Sequence, residues 1–236
     1  MYKNYFFDLY ETLVDIRTNE ENDWIWDKLC LYYGYYGAIY DAEELKNEFE
    51  KTKTKLLGLS SSKVPTINIE DIFYKLFKVK GIKPKKKHTR SIVKAYRMLI
   101  TESIDLNEGV CDLLKAIKDK DKNLYIISNE QSLYGISELK LLGLYDYFKE
   151  CYFSSDLGVS MPEEAFLKKV MDDKEMKPKD CIVISNKAKE VLTPAKSLKM
   201  STVHISKDSI KDNQWTYVVE ENKLTILKDK ILKTTS

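Results

Sequence analysis

Histidine is nearly missing from this chain: His88 and His204 are the two present in 236 residues. A histidine-rich metal centre is excluded by counting. Cysteine is sparse too. Cys30, Cys111, Cys151 and Cys181 lie far apart with no Cys-x-x-Cys pair. That argues against structural zinc and against a dense disulfide framework. Glycine (8) and proline (5) are too few for a collagen-like or Pro/Gly-rich disordered chain. No Gly-rich phosphate loop of the Walker or dinucleotide type occurs. Neither sign of charge dominates. Thirty-nine Lys and Arg against 37 Asp and Glu leave +2, so no global field steers the chain toward nucleic acid or anionic membrane. No apolar run approaches the roughly 20 residues that a membrane helix needs. Asp8 breaks the first such run before a signal-peptide core can form. The expectation is a cytoplasmic protein with reduced thiols and no membrane partner.

What is present suits a globular protein. The apolar fraction is 43%, with 16 Tyr, 8 Phe and 3 Trp, enough to build a core without staples. Tyr5 to Leu9 reads as a buried strand ending in an acid. From 18 to 100 the pattern is helical, with little strand signal. Trp24, Trp26, Leu29 and Leu31 mark one helix; Asp41 with Glu44 starts another as a capping box. Ile69, Ile72, Phe73, Leu76 and Phe77 mark a third, stopped by Gly81 and Pro84. Ile92, Val93, Tyr96, Leu99 and Ile100 mark a fourth, and residues 60–65 read as a loop.

After 105 the pattern alternates. Helices at Val110–Ile117, Ser137–Leu142, Ala165–Met171 and Val191–Leu198 separate apolar strands at Leu124–Ile127, Cys151–Phe153, Cys181–Ile184 and Thr202–Ile205. Trp215–Val219 and Leu224–Leu227 read as late edge strands, and 228–236 as a polar, frayed tail. The sum is an α/β fold with a doubly wound, mostly parallel, Rossmann-like sheet. Residues 1–15 and 103–236 form this core, and an all-helical insertion occupies 16–102. In such sheets ligands bind at the carboxyl ends of the strands. Asp8, Ser128-Asn129 and Ser185-Asn186 sit at three such ends.

These residues carry a family likeness. Phe7-Asp8-Leu9-Tyr10-Glu11-Thr12-Leu13 resembles the first motif of the haloacid-dehalogenase-like (HAD) hydrolase superfamily, and Ile126-Ile127-Ser128-Asn129 resembles the second. The segment from Glu138 to Phe148, followed by Ser154–Gly158, resembles the approach to the third. The insertion after the first motif resembles the helical cap of one branch. The resemblance implies Asp8 as a nucleophile, Thr12 and Ser128 with Asn129 as holders of substrate or phosphate oxygens, and Tyr10 at the family's acid/base position. It also exposes departures. Tyr10 replaces the second Asp, Glu11 the Gly, and Met161 the Lys before Pro162. Asn186 stands for the magnesium-binding acid, and Val191 for the later acid, with Glu190 one position off.

An amide gives magnesium oxygen but no charge, so Asp8 and Asn186 are expected to hold Mg2+ weakly. Lys168 and Lys169 are the lysines considered for reaching back. Without a cation, a phosphate dianion meets an uncompensated carboxylate, worth about 4 kcal/mol per unit pair at roughly 4 Å and a dielectric near 20. The expectation is a nominal small-molecule phosphatase with an eroded site and weak or absent activity. The alternatives are a non-catalytic binding or scaffold protein, and a metal-independent 2-haloacid dehalogenase-like hydrolase. The substrate, if the site is active, is a small phosphorylated metabolite.

Two surface features stand apart. Tyr32, Tyr33, Tyr35, Tyr36 and Tyr40 crowd one end of the insertion and suit a protein partner or simple packing. Lys83, Lys85, Lys86, Lys87, His88 and Arg90 form a basic cluster without interleaved aromatics. It reads as a solvated helix start rather than a nucleic-acid platform.

Overall fold

A computed structural model describes residues 2–60, 62–206, 214–220 and 224–232. Ser61 of the expected 60–65 loop and 233–236 of the expected tail lie outside the described residues. The chain divides into two compact units, Met1–Ile16 with Ile104–Ser236 and Arg17–Ser103.

The first unit is built on β1 (Asn4–Asp8), a strand buried along its whole length. Such a run of apolar residues needs cover on both faces. Its neighbours are β4 (Asn123–Ser128) and β6 (Cys181–Ser185), both parallel to it, with Phe7 opposite Ile126 and Ile184. Beyond β4 lies β5 (Glu150–Phe153); beyond β6 lie β7 (Ser201–Ser206) and β8 (Tyr217–Glu220). All of these pairings are parallel, giving a six-stranded sheet ordered β5-β4-β1-β6-β7-β8. The order reverses direction at β1, so the crevice between β1 and its neighbours opens at Asp8.

Alternate residues feed two cores. Tyr5, Phe7, Ile126 and Ile184 pack with Val110, Leu113 and Ile117 of α5 (Val110–Lys118) and Leu224 and Leu227 of α10 (Leu224–Ile231). A short α7 (Ser154–Leu157) follows β5, and Phe6, Tyr125, Ile127 and Val183 pack with Phe166, Leu167 and Val170 of α8 (Glu164–Asp173), with Val191 and Leu192, and with Ala195 of α9 (Thr193–Ser197). Helix α6 (Ser132–Leu141) approaches β5 so closely that a Cβ on Gly135 would lie 2.3 Å from the Phe153 ring.

Two expectations change. Leu224–Leu227 is the start of α10, not an edge strand. Leu224, Leu227 and Ile231 recur at i, i+3 and i+7 and bury one helical face. The passage between the two units also contains strand: β2 (Val14–Thr18) and β3 (Thr101–Leu106) form a two-stranded sheet. Their sequences, VDIRT and TESIDL, are mostly polar, which hid them beside solid apolar strands.

The second unit holds α1 (Trp24–Tyr35), α2 (Ala42–Leu57), α3 (Ile69–Val79) and α4 (Lys86–Ile100). Asp41 caps α2 by accepting from the Glu44 N–H at 2.8 Å, and Asn68 caps α3 from the Glu70 N–H at 2.9 Å. The interior is aromatic: Trp26 against Phe49, Phe73 against Tyr96, and Tyr33 against Phe77 at 4.4 Å. Tyr33 and Tyr40 are buried there, donating to the carbonyls of Phe73 and Leu76. No helix of the described residues is long and apolar enough to cross a membrane.

Candidate active site

Asp8 ends β1 and is 2% exposed. Its carboxylate is held on both oxygens. Oδ1 accepts from the Leu9 N–H at 2.9 Å, and Oδ2 accepts from the Ser185 hydroxyl at 2.9 Å. The Lys187 ammonium lies 3.6 Å from the same Oδ2. Burial pushes the Asp8 pKa up to about 6, against the opposing pull of Lys187, Ser185 and the Leu9 N–H; Glu190 pushes it further up. A carboxylate so placed is ionised above that pH and aimed from the strand end.

Lys187 corrects the expectation of a pocket without positive charge. It follows Ser185-Asn186 directly, and its N–H donates to the Ser185 hydroxyl at 2.9 Å. Burial disfavours the ammonium, but Asp8, Glu11, Glu190 and Glu130 together outweigh that and raise its pKa. The family pattern has its lysine before Pro162, where Met161 stands here. Met161 is 1% exposed and packs with Phe166 and Val170. The cation arrives from the β6 loop instead. The legible signal was a lysine immediately after a polar pair at a strand end. The other lysines considered do not reach Asp8: Lys168 pairs with Glu164 at 2.9 Å, and Lys169 donates to the Leu157 carbonyl at 2.8 Å.

The remaining candidates divide. Thr12 is buried; its hydroxyl accepts from the Asn186 N–H at 3.2 Å and lies 3.4 Å from the Asn186 amide oxygen. Ser128 ends β4 beside Asp8, with its hydroxyl accepting from the Glu130 N–H at 3.3 Å. Asn129 is committed to the protein. Its amide accepts from the Met161 N–H and donates to the Met161 carbonyl, both at 2.8 Å, and it also donates to Glu190. It thus clamps the loop before Pro162. The Tyr10 hydroxyl donates to the Glu138 carboxylate of α6, and the ring is 5% exposed in the core.

Glu11, where the family pattern has Gly, adopts φ +62°, a left-handed conformation that costs an L-residue about 1–2 kcal/mol. Its carboxylate accepts from the Asn186 amide at 3.2 Å. Residues Ala188–Leu192 form a π-helical turn, which inserts one residue relative to an α-turn. Val191, at the expected acid position, is buried in the core, while Glu190 meets Asn129.

The donor set does not fit a resident divalent metal. Among the described residues, no group of three or more His, Cys, Asp or Glu is placed to hold an ion. Asp8 Oδ1 already accepts from the Leu9 N–H and Oδ2 from the Ser185 hydroxyl, with the Lys187 ammonium ion-paired to Oδ2 at 3.6 Å. The Asn186 amide is shared with Thr12 and Glu11. The Asp8 carboxylate is neutralised by the Lys187 ammonium 3.6 Å away.

The family model described as haloacid dehalogenase-like hydrolase matches residues 5–205. No curated protein matches the chain. Among solved structures, magnesium-bound YfnB from Bacillus subtilis is similar at 18% identity and TM-score 0.58, covering 98% of this chain and 99% of that one. A HAD phosphatase from Thermococcus onnurineus is similar at 17% identity and TM-score 0.55, with 97% of each chain covered. A 2-haloacid dehalogenase from Pseudomonas syringae pv. Tomato DC3000 is similar at 14% identity and TM-score 0.59, covering 98% and 99%. At these identities the likeness is one of fold.

Proposed function

The chain belongs to the haloacid dehalogenase-like hydrolase family, and from that premise we propose a hydrolase that works through Asp8 and Lys187 without a resident metal and handles phosphate monoesters weakly or not at all. One observation carries the reading: the Lys187 ammonium stands 3.6 Å from the buried Asp8 carboxylate. In this reading an Asp8 oxygen attacks the electrophilic centre, and the leaving group departs with its electron pair. Water then cleaves the ester and restores the carboxylate. Lys187 neutralises charge as it shifts, and the Ser185 hydroxyl fixes the carboxylate rotamer. Thr12 and Ser128 hold substrate oxygens, as the family likeness implies. The helical unit is read as the family's cap, and the setting as cytoplasmic.

Magnesium is common in this family, and YfnB binds it, but this donor set favours the lysine. Phosphate dianions are disfavoured because one ammonium faces four carboxylates, Asp8, Glu11, Glu130 and Glu190. Each like-charge pair costs up to about 4 kcal/mol at roughly 4 Å and an effective dielectric near 20. The same ion pair, with Tyr10 in place of a second acid, favours the metal-independent dehalogenase-like reading next. There Asp8 displaces halide from a carbon, and hydrolysis of the ester leaves an alcohol.

The test is a panel of phosphate monoesters and 2-halo acids, each with EDTA and with magnesium. Turnover that survives EDTA, is abolished in Asp8→Asn and falls about a hundredfold or more in Lys187→Met supports the reading. Turnover that appears only with magnesium contradicts it. No turnover at all, with a ligand captured by the site, replaces it with the binding role.

A further inference from the structure

A cavity of about 310 Å³ lies at the amino ends of β1 and β4, the opposite end of the sheet from Asp8. Asn4 and Asp8 are four residues apart on β1, which separates the two ends by roughly 13 Å. One wall of the cavity is the turn after α8. There the Met176 N–H donates to the Met171 carbonyl at 2.9 Å, and the Glu175 N–H to the Asp172 carbonyl at 3.3 Å. These are the two bonds of a Schellman cap, with Glu175 in its left-handed position at φ +51°. The cap fixes the path of the chain and brings Glu175, Met176 and Lys177 to the cavity.

Two side chains lining the cavity are buried yet keep unused hydrogen-bonding capacity. Asn4 is 6% exposed. Its amide oxygen accepts from the Asn123 amide at 2.8 Å, but its own NH2 group meets the Cys181 sulfur, at 3.8 Å, a weak acceptor. Tyr125 is 4% exposed, with its ring stacked on Phe6 at 5.1 Å. Among the described residues the Tyr125 hydroxyl has no hydrogen-bond partner. Buried polar groups are ordinarily satisfied, so two donors are left for a molecule that enters.

The charges at the rim sort into paired and free. Lys3 meets Asp180 at 3.7 Å, and Lys174 meets Glu150 and Asp173 at 2.8 and 3.0 Å. Among the described residues Glu175 and Lys177 make no ion pair. One carboxylate and one ammonium thus stand free beside the two neutral donors.

We propose that this cavity binds a free amino acid or a closely similar zwitterion. The ligand carboxylate takes the Lys177 ammonium, the Asn4 amide and the Tyr125 hydroxyl, and the ligand ammonium takes Glu175. The volume is at the lower end of small-molecule pockets, about 300–1,000 Å³, which suits so small a ligand. A phosphate dianion fits less well because Glu175 and Asp180 line the same cavity, and a simple cation fits less well because Lys3 and Lys177 do.

Calorimetric titration of the full chain with each protein amino acid tests this, with nitrogen-15 NMR of the side-chain amides reporting the site. The expected result is that at least one amino acid binds and shifts the Asn4 and Asn123 amide signals. Acetate, methylammonium and inorganic phosphate bind at least about tenfold more weakly. Lys177→Met and Glu175→Gln, at exposed positions, each weaken the amino acid about tenfold or more. Tyr125→Phe also weakens it, while the urea midpoint stays level or rises, because the lost hydroxyl had no partner. Binding by none of the amino acids overturns the proposal. So does phosphate that binds as tightly as the best of them, or binding that Lys177→Met and Glu175→Gln leave unchanged.

Discussion

Asp8 is a buried acid whose position was legible and whose partner was not. An apolar run ending in Asp, and two others ending in Ser-Asn, place three polar positions at strand ends by periodicity alone. The identity of the neutralising cation is a property of which loop folds over the strand end. Spacing along the chain does not encode that: the family pattern has its lysine before Pro162, where this chain has Met161, and the ammonium beside Asp8 is that of Lys187. Glu11 shows the same limit. Its φ of +62° follows from the turn after β1, and Glu11→Gly is expected to raise stability by about 1 kcal/mol, read as a higher urea midpoint. Removing its carboxylate also lightens the negative charge facing Lys187. Ser185→Ala removes a hydrogen bond that favours ionised Asp8. The acidic limb of the pH–rate profile is expected to move upward in that variant, with turnover lower at pH 6 and nearly recovered at pH 8.

Elements were legible in proportion to how clean their pattern is. β4 and β6 are unbroken apolar runs, and α3 and α5 bury residues at helical spacing, so these announced themselves. β2 and β3 mix charged and apolar residues in short segments, and tertiary pairing rather than propensity makes them strands. Leu224–Leu227 is too short a window to separate period 2 from period 3.6; only Ile231 completes the helical face. The π-helical turn at Ala188–Leu192 is equally silent in sequence, yet it decides that Glu190, not Val191, meets Asn129. The seam between α6 and β5 gives an element-scale prediction. Gly135→Val drives two extra methyl groups and a Cβ into the Phe153 ring and is expected to cost at least about 1–3 kcal/mol, measured by equilibrium urea unfolding. Gly143→Ala, with nothing within 4 Å of an added Cβ but φ of +70°, is expected to cost only the left-handed strain of about 1 kcal/mol.

At the scale of the whole molecule, composition set the class and the alternation of patterns set the architecture. The sheet order puts β1 at the point where the connections reverse, and that alone brings residues 8, 12, 128 and 185–187 to one crevice. The two apolar layers are large and fully buried at their centres. Phe166→Ala, in a side chain with no exposure, is expected to lower stability by about 3–5 kcal/mol, enough to threaten folding of a domain with typical margins. Net charge was informative only as a sum. A balance of +2 concealed the run of lysines at the start of α4 and the four carboxylates that act on Lys187, which no whole-chain count resolves.

The most direct measurement is the titration of Asp8 itself, followed by carbon-13 NMR of the labelled carboxyl in metal-free protein. It is expected to titrate near pH 6 in the wild-type chain and at a higher pH in Lys187→Met, because removing the ammonium withdraws the main charge that favours ionisation. Saturating magnesium is expected to leave both curves in place. An unchanged midpoint in Lys187→Met, or a midpoint dragged well below 6 by magnesium, would contradict a lysine-neutralised nucleophile.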